Sequence, residues 1–219
     1  MQLCRKYLLF LRHIYTLIMI QSIDDKVIKK IKKAKGGSLF FIDDFLDFGS
    51  GKAVSKALER LVHAGDIHRV ARGIYSRLAK DPILGQIRPS TEDIAEAIRK
   101  RDKARIIPTG SLALNALGLS TQIPINVVYY TDGSARKIDV GRRTILFKKT
   151  SPKNLATIGK ISTLVIQALK EIGKEKVTEQ EIELILDKLR NEEPFRLEHD
   201  IKLAPEWIRI IMRKAIKKQ

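Results

Sequence analysis

Residues Ser50–Arg77, SGKAVSKALERLVHAGDIHRVARGIYSR, combine the pattern of a helix with that of a β-hairpin. Ser50 is of a type that caps helix N-termini, and the apolar side chains after it recur at the spacing of a helix that buries one face. Gly65 ends this pattern, and IHRVARGIYSR then reads as two short strands joined across Ala-Arg-Gly. We therefore predict a helix over about 51–64, followed directly by a hairpin.

The residues before Ser50 complete a small domain. An amphipathic helix begins near Ile23 and ends before Gly36-Gly37, a short apolar strand covers 39–41, and a short helix covers 42–48. The order helix, strand, helix, helix, hairpin is that of a winged helix-turn-helix, which we place at 22–80.

The residues after Leu78 indicate a second domain. The polar connector Ala79-Lys80-Asp81-Pro82 precedes it, and we place the domain at 85–219. Its predicted helices and strands are helices at about 90–103 and 108–118, strands at 126–131, 136–140 and 142–148, a long helix from Ser151-Pro152 through Ile172, and helices beginning at Thr178 and Pro205. The expected class is α+β: an N-terminal winged helix and a mixed α/β C-terminal domain ending in helices.

The charge of the chain is its strongest functional signal. The net charge is +17, and residues 22–80 carry 13 Lys and Arg against 7 Asp and Glu. Most of the remaining excess lies after residue 80, so the folded body is itself basic rather than carrying a basic tail. This balance indicates a polyanionic partner, with nucleic acid the first candidate and an anionic membrane the second.

The first 21 residues, MQLCRKYLLFLRHIYTLIMIQ, have the charge and apolarity of a signal peptide. However, Arg12 and His13 split the apolar run, no small-residue cleavage site follows, and neither half is long enough to span a bilayer. We expect an extension ahead of a start at Met19; a peripheral anchor and a structural helix are the alternatives. The expected location is the cytoplasm, without membrane insertion.

Catalytic and cofactor motifs are incomplete. Gly51-Lys52 lacks the glycine and hydroxyl of a P-loop, because Leu46 and Ala53 occupy those positions. Gly110-Ser111 is typical of a nucleotidyltransferase site, but only Asp132 follows where two carboxylates are needed. With one cysteine and four scattered histidines, we expect no enzyme, no metal and no cofactor. A divergent nucleotidyltransferase stays as an alternative.

The helix at 51–64 and the hairpin after it carry the predicted DNA-binding residues. In a winged helix this helix enters the major groove, and the wing reaches phosphates or the minor groove. The candidate residues are Ser50, Lys52, Ser55, Lys56 and Arg60 on the helix, and Arg69, Arg72 and Gly73 in the wing. We exclude Arg77, which follows the second strand. A solvated basic face, or a winged helix used for protein contacts, would give the same pattern.

The second domain has two further basic groups, at 99–105 and 136–149. Three interpretations stay open for each group: it extends the DNA-binding surface, it binds an acidic protein, or it is simply solvated.

Three segments carry a resemblance to a known family: HRVARGIY, PTGSLALNALGLSTQIPINVVYYTDGSARKI and TSPKNLATIGKISTLVIQAL, which begin at residues 68, 108 and 150. Through them the chain resembles the AbiEi-like antitoxins of type IV toxin–antitoxin systems over about residues 22–175.

This resemblance implies two functions and no enzymatic activity. The winged helix would bind operator repeats in double-stranded DNA and repress its own operon. The C-terminal domain would neutralise a nucleotidyltransferase-like toxin of the AbiEii type. The alternative within the same class is a regulator without a toxin, whose second domain serves for ligand sensing or assembly.

Overall fold

The structure, a computed structural model, describes residues 22–216, so the expectations about residues 1–21 lie outside the described range. The chain divides into two compact units between Pro89 and Ser90. We call them the N-terminal unit and the C-terminal unit. Both contain helices and strands, which confirms the predicted α+β class.

The N-terminal unit is a winged helix-turn-helix. Its elements are α1 Ile23–Lys33, β1 Leu39–Phe41, a 3₁₀-helix Ile42–Phe48, α2 Gly51–His63, β2 His68–Ala71 and β3 Ile74–Ser76. The strands form an antiparallel sheet in the order β1-β3-β2, so the hairpin pairs with β1 through β3. The apolar faces of α1, α2 and the sheet close one core around Phe45, which is fully buried.

Local hydrogen bonds explain where these helices begin and end. Ser22 and Asp25 cap each other's backbone N–H at the start of α1, and Ser50 accepts from the Ala53 N–H at the start of α2. At the other end of α1, the Arg77 guanidinium donates to the carbonyls of Lys32 (3.0 Å) and Ala34 (2.8 Å). Arg77 therefore has a structural role in ending a helix.

The predicted connector Ala79–Pro82 and the residues after it form a second hairpin of β4 Ala79–Asp81 and β5 Gly85–Ile87. The Asp81 carboxylate accepts from the backbone N–H of Ile83 and Leu84, both at 2.8 Å. This local hydrogen bonding closes the turn without any apolar alternation, which is why the pattern did not indicate strands.

The C-terminal unit has a sheet followed by a helical bundle. Its elements are α3 Thr91–Asp102, β6 Ile106–Pro108, α4 Gly110–Ala116, β7 Asn126–Thr131, β8 Arg136–Val140, β9 Arg143–Lys149, a 3₁₀-helix Pro152–Leu155, α5 Lys160–Ile172, α6 Glu179–Leu189, α7 Pro194–Leu203 and α8 Glu206–Ile216. The sheet order is β6-β7-β9-β8, with β7 and β9 parallel. Helices α4 to α8 share the second core.

The predicted long helix from Ser151 through Ile172 is wrong. The chain makes one 3₁₀ turn, runs without helix over 156–159, and begins α5 at Lys160. The reason is a set of hydrogen bonds to residues far along the chain. Buried Asp200 accepts from the N–H groups of Ile158 (2.8 Å) and Gly159 (2.9 Å), and Glu192 accepts from Ile161 (2.6 Å). The two carboxylates thus accept hydrogen bonds from backbone N–H groups at the start of α5, where a helix leaves such groups without a partner.

Candidate nucleic-acid interface

An open groove of about 820 Å³ lies between α2 and the wing, the hairpin of β2 and β3. Helix α2 forms one wall and the wing forms the other, because Gly65 and its neighbours turn the chain back directly after the helix. The lining residues are Ile42, Ser55, Glu59, Val62, His63, Arg69, Arg72, Gly73 and Tyr75. Four of the eight predicted site residues therefore meet in one concave surface.

The other predicted residues of α2 lie outside this lining. Lys52 and Lys56 are exposed and make no ion pair with the described residues. Ser50 is exposed at the N-cap, where its hydroxyl lies 3.4 Å from the Ala53 nitrogen. The two ammonium groups are thus free to meet an anion in front of the helix, while Ser50 is partly committed to the cap.

Arg60 is a predicted site residue that forms an ion pair within the N-terminal unit. Its Nε lies 2.8 Å from Oδ2 of Asp24 and its Nη2 lies 2.6 Å from Oδ1, a bidentate pair between α2 and α1. The hydrogen bond from Arg60 lowers the pKa of Asp24, and the same contact raises the pKa of Arg60. The Arg60 side chain is more than half exposed, so a phosphate can still reach it.

The wing carries its arginines on either side of an irregular turn. A β-bulge separates Arg69 from Ala71, and Ala71 pairs with Ile74 across the turn. Gly73 has a φ of +75°, which L side chains adopt only under strain. Arg69 and Arg72 are exposed and both line the groove.

Five residues of the groove were not among the predicted site residues: the apolar Ile42 and Val62, and the polar or aromatic Glu59, His63 and Tyr75. Glu59 lies four residues after Ser55 and His63 lies four residues after Glu59, so both continue the exposed face of α2, and this spacing was a usable signal. Tyr75 is buried in the sheet, and nothing in the sequence distinguished it from a core residue. The groove therefore offers donors, one carboxylate acceptor and an aromatic edge.

Five of the eleven Lys and Arg side chains in the two basic groups of the C-terminal unit form ion pairs within that unit. Arg99 and Lys100 both pair with Glu96, at 2.6 and 3.6 Å. Asp102 pairs with Arg101 and with Arg136, and burial lowers the pKa of Arg136. These paired cations are less available to an external anion than Lys52 and Lys56 of α2. The other cations of the two groups form no ion pair with a described residue: Lys103, Arg105, Arg142, Arg143, Lys148 and Lys149.

Fold and groove together define a winged helix-turn-helix protein with a second α/β unit. The chain belongs to DUF6088, a family of unknown function, whose sequence model matches residues 26–197. No curated protein matches it. Within residues 22–216, no helix is long and apolar enough to cross a membrane, and no three His, Cys, Asp or Glu side chains are grouped to hold a metal ion.

Proposed function

We propose that the protein is a DNA-binding transcriptional repressor that acts in the cytoplasm through its winged helix. The observation that carries the proposal is the groove, where Ser55 from α2 faces Arg69 and Arg72 from the wing. A groove with cations on one wall and an exposed helix on the other suits a duplex, whose backbone carries regularly spaced negative charge.

In the proposed complex, α2 enters the major groove and the wing lies against the flanking backbone. Lys52, Ser55 and Lys56 face the base edges, where Lys donates to guanine and Ser bonds to several bases. Arg69 and Arg72 bind phosphates or the minor groove, which fixes the position of α2 without reading sequence.

We further propose that the target is operator DNA upstream of the protein's own operon, and that the C-terminal unit neutralises an AbiEii-type toxin. Both statements rest on the resemblance to the AbiEi-like antitoxins. Co-expression with a toxin-like neighbouring reading frame tests the second one. We expect the pair to co-purify and growth to be restored. If growth stays arrested, the protein is a regulator without a toxin.

The DNA proposal is tested with a labelled duplex from the upstream region, measured by fluorescence anisotropy. We expect Lys56→Glu and Arg72→Glu each to weaken binding at least about tenfold, since each replaces a favourable contact by a repulsive one. Lys176→Glu, which makes the same charge change in an exposed turn of the C-terminal unit, is the matched control. If both groove variants bind as tightly as the control, the winged helix does not bind this DNA.

A further inference from the structure

A second cavity, unrelated to the groove, lies within the C-terminal unit. It has a volume of about 420 Å³ and is bounded by the 3₁₀-helix Pro152–Leu155, one face of α5 and the corner between α7 and α8. Small-molecule pockets have volumes of about 300–1,000 Å³, so this cavity is large enough for a compact ligand.

Three lysines lie around this cavity: Lys153, Lys170 and Lys202. None of them forms an ion pair with a described residue. The one carboxylate in the lining, Glu206, is paired with Arg209 at 2.8 Å and does not neutralise them. Desolvation and the nearby positive charge of Lys153 lower the pKa of Lys170. An anion placed among these ammonium groups would relieve their mutual repulsion.

A glutamine in the same wall points independently to a ligand. Gln167 is only 6% exposed and lines the cavity, yet its side chain makes no hydrogen bond to any described residue. Its neighbours on α5, Ile166, Ala168 and Leu169, are buried apolar residues of the core. The amide atoms of Gln167 are not among the fully buried polar atoms that lack a partner, so the amide is accessible from the cavity. A polar ligand there would supply the hydrogen bond that the described residues do not.

The apolar part of the cavity wall indicates which kind of anion would bind. Ile166, Leu203, Ala204 and Pro205 supply an apolar surface beside the lysines. We propose that the cavity binds a small organic phosphate, with its phosphate among the three ammonium groups and its body against the apolar wall. The phosphate backbone of DNA fits less well, because a duplex cannot place an apolar group inside a cavity of this size.

Binding is measured by calorimetry and thermal unfolding on the full chain at about 150 mM salt, which screens loose contacts with a basic protein. The probes are inorganic phosphate, phenyl phosphate and adenosine monophosphate, with phenol and adenosine as uncharged counterparts. We expect both organic phosphates to bind more tightly than inorganic phosphate and the uncharged compounds to show no binding. Equal affinity for inorganic and phenyl phosphate would overturn the role of the apolar wall.

Two variants test the named residues. Lys170→Gln should weaken phenyl phosphate binding at least about tenfold, since it removes a charged donor, whereas Lys174→Gln in the exposed turn after α5 should not. Gln167→Leu should abolish the rise in melting temperature that phenyl phosphate causes, because it removes the amide that would bond the ligand. If phenyl phosphate raises the melting temperature of Gln167→Leu as much as that of the wild type, the proposal is wrong.

The remaining alternative is that the lysines bind DNA. If Lys170→Gln weakens duplex binding as much as Arg72→Glu does, and the duplex displaces phenyl phosphate, the cavity belongs to a DNA surface and the proposal is wrong. The cavity proposal does not depend on the winged helix. Groove variants that lose DNA but keep phenyl phosphate would separate the two sites.

Discussion

The guanidinium of Arg60 holds both carboxylate oxygens of Asp24, at 2.8 and 2.6 Å, and so joins α2 to the first turn of α1. The contact holds in place a cation that the sequence predicts to bind DNA. Asp24 and a DNA phosphate are therefore competitors for the same planar donor group. Removing the Asp24 carboxylate is therefore expected to weaken folding and to strengthen DNA binding.

Asp24→Asn should strengthen binding to the upstream duplex and make it more dependent on salt. The freed Arg60 would neutralise one more phosphate, which increases the magnitude of the slope of log affinity against log salt by about 1. Anisotropy titrations over a range of salt concentrations measure this slope. Asp43→Asn removes the same charge from an exposed position of the same unit. An equal change in both variants would show that only net charge matters.

The same pair predicts a pH dependence of stability. The hydrogen bond from Arg60 lowers the pKa of Asp24 below its ordinary value of 3.8. A lowered folded pKa stabilises the fold above the ordinary pKa, and this stabilisation is lost as the pH falls through the folded pKa. The wild type should therefore be more stable than Asp24→Asn at about pH 7, with the difference shrinking below about pH 4. Urea unfolding at several pH values measures it, and a constant difference would contradict the pairing.

Arg72→Gln and Arg77→Gln should separate DNA binding from folding within one hairpin. Arg72 lines the groove, so its loss should reduce the salt slope by about 1. Arg77 ends α1 through two carbonyls, so its loss should leave the slope unchanged and lower the free energy of unfolding by about 1–2 kcal/mol. A reduced slope in Arg77→Gln would place Arg77 at the DNA instead.

Gly73→Ala should destabilise the N-terminal unit by about 1 kcal/mol, because an L residue at a φ of +75° is strained. The control is Gly51→Ala in the first turn of α2. An added Cβ there meets Leu46 at an ordinary 3.7 Å, and alanine favours the helix. Thermal unfolding of both variants measures the difference. Equal stability would mean that the turn relaxes without cost.

Asp200→Ala should destabilise the C-terminal unit by about 3 kcal/mol or more. The carboxylate is fully buried and accepts from Ile158, Gly159 and the Ser162 hydroxyl, all of which would lose their partner. Asp187→Ala, which removes an exposed acid 3.4 Å from Arg190, should have little effect. Denaturant unfolding measures both, and similar losses would contradict the capping role.

The sequence predicts the winged helix well because its signals are local. The Ser50 cap, the apolar spacing of α2 and the glycines at 65 and 73 each determine the backbone around themselves. The sequence also predicts that Arg69 and Arg72 belong to one surface, since a two-strand hairpin brings them beside the preceding helix. It does not predict the pairing of Arg60, because Asp24 lies 36 residues away.

The strands and helices that the sequence did not predict depend on contacts between residues that are far apart in the chain. Strand β6 has only three residues and exists through its pairing with β7. Helix α7 begins with Pro194 and buries only Leu197, Asp200 and Ile201, so its pattern is weak. Without that helix, the sequence gives no reason for α5 to begin at Lys160 rather than at Ser151. The cavity is missed for the same reason, since its walls come from segments separated by about 50 residues.

The capping of α5 also constrains the order in which the protein forms during synthesis. Glu192 and Asp200 leave the ribosome after the whole of α5 and α6, so α5 emerges before the groups that complete its first turn. A nascent or truncated chain that stops before residue 192 lacks both carboxylates. The C-terminal unit should then stay open to proteases until its last helices arrive, while the winged helix, whose core and three-stranded sheet lie within residues 22–77, can fold first.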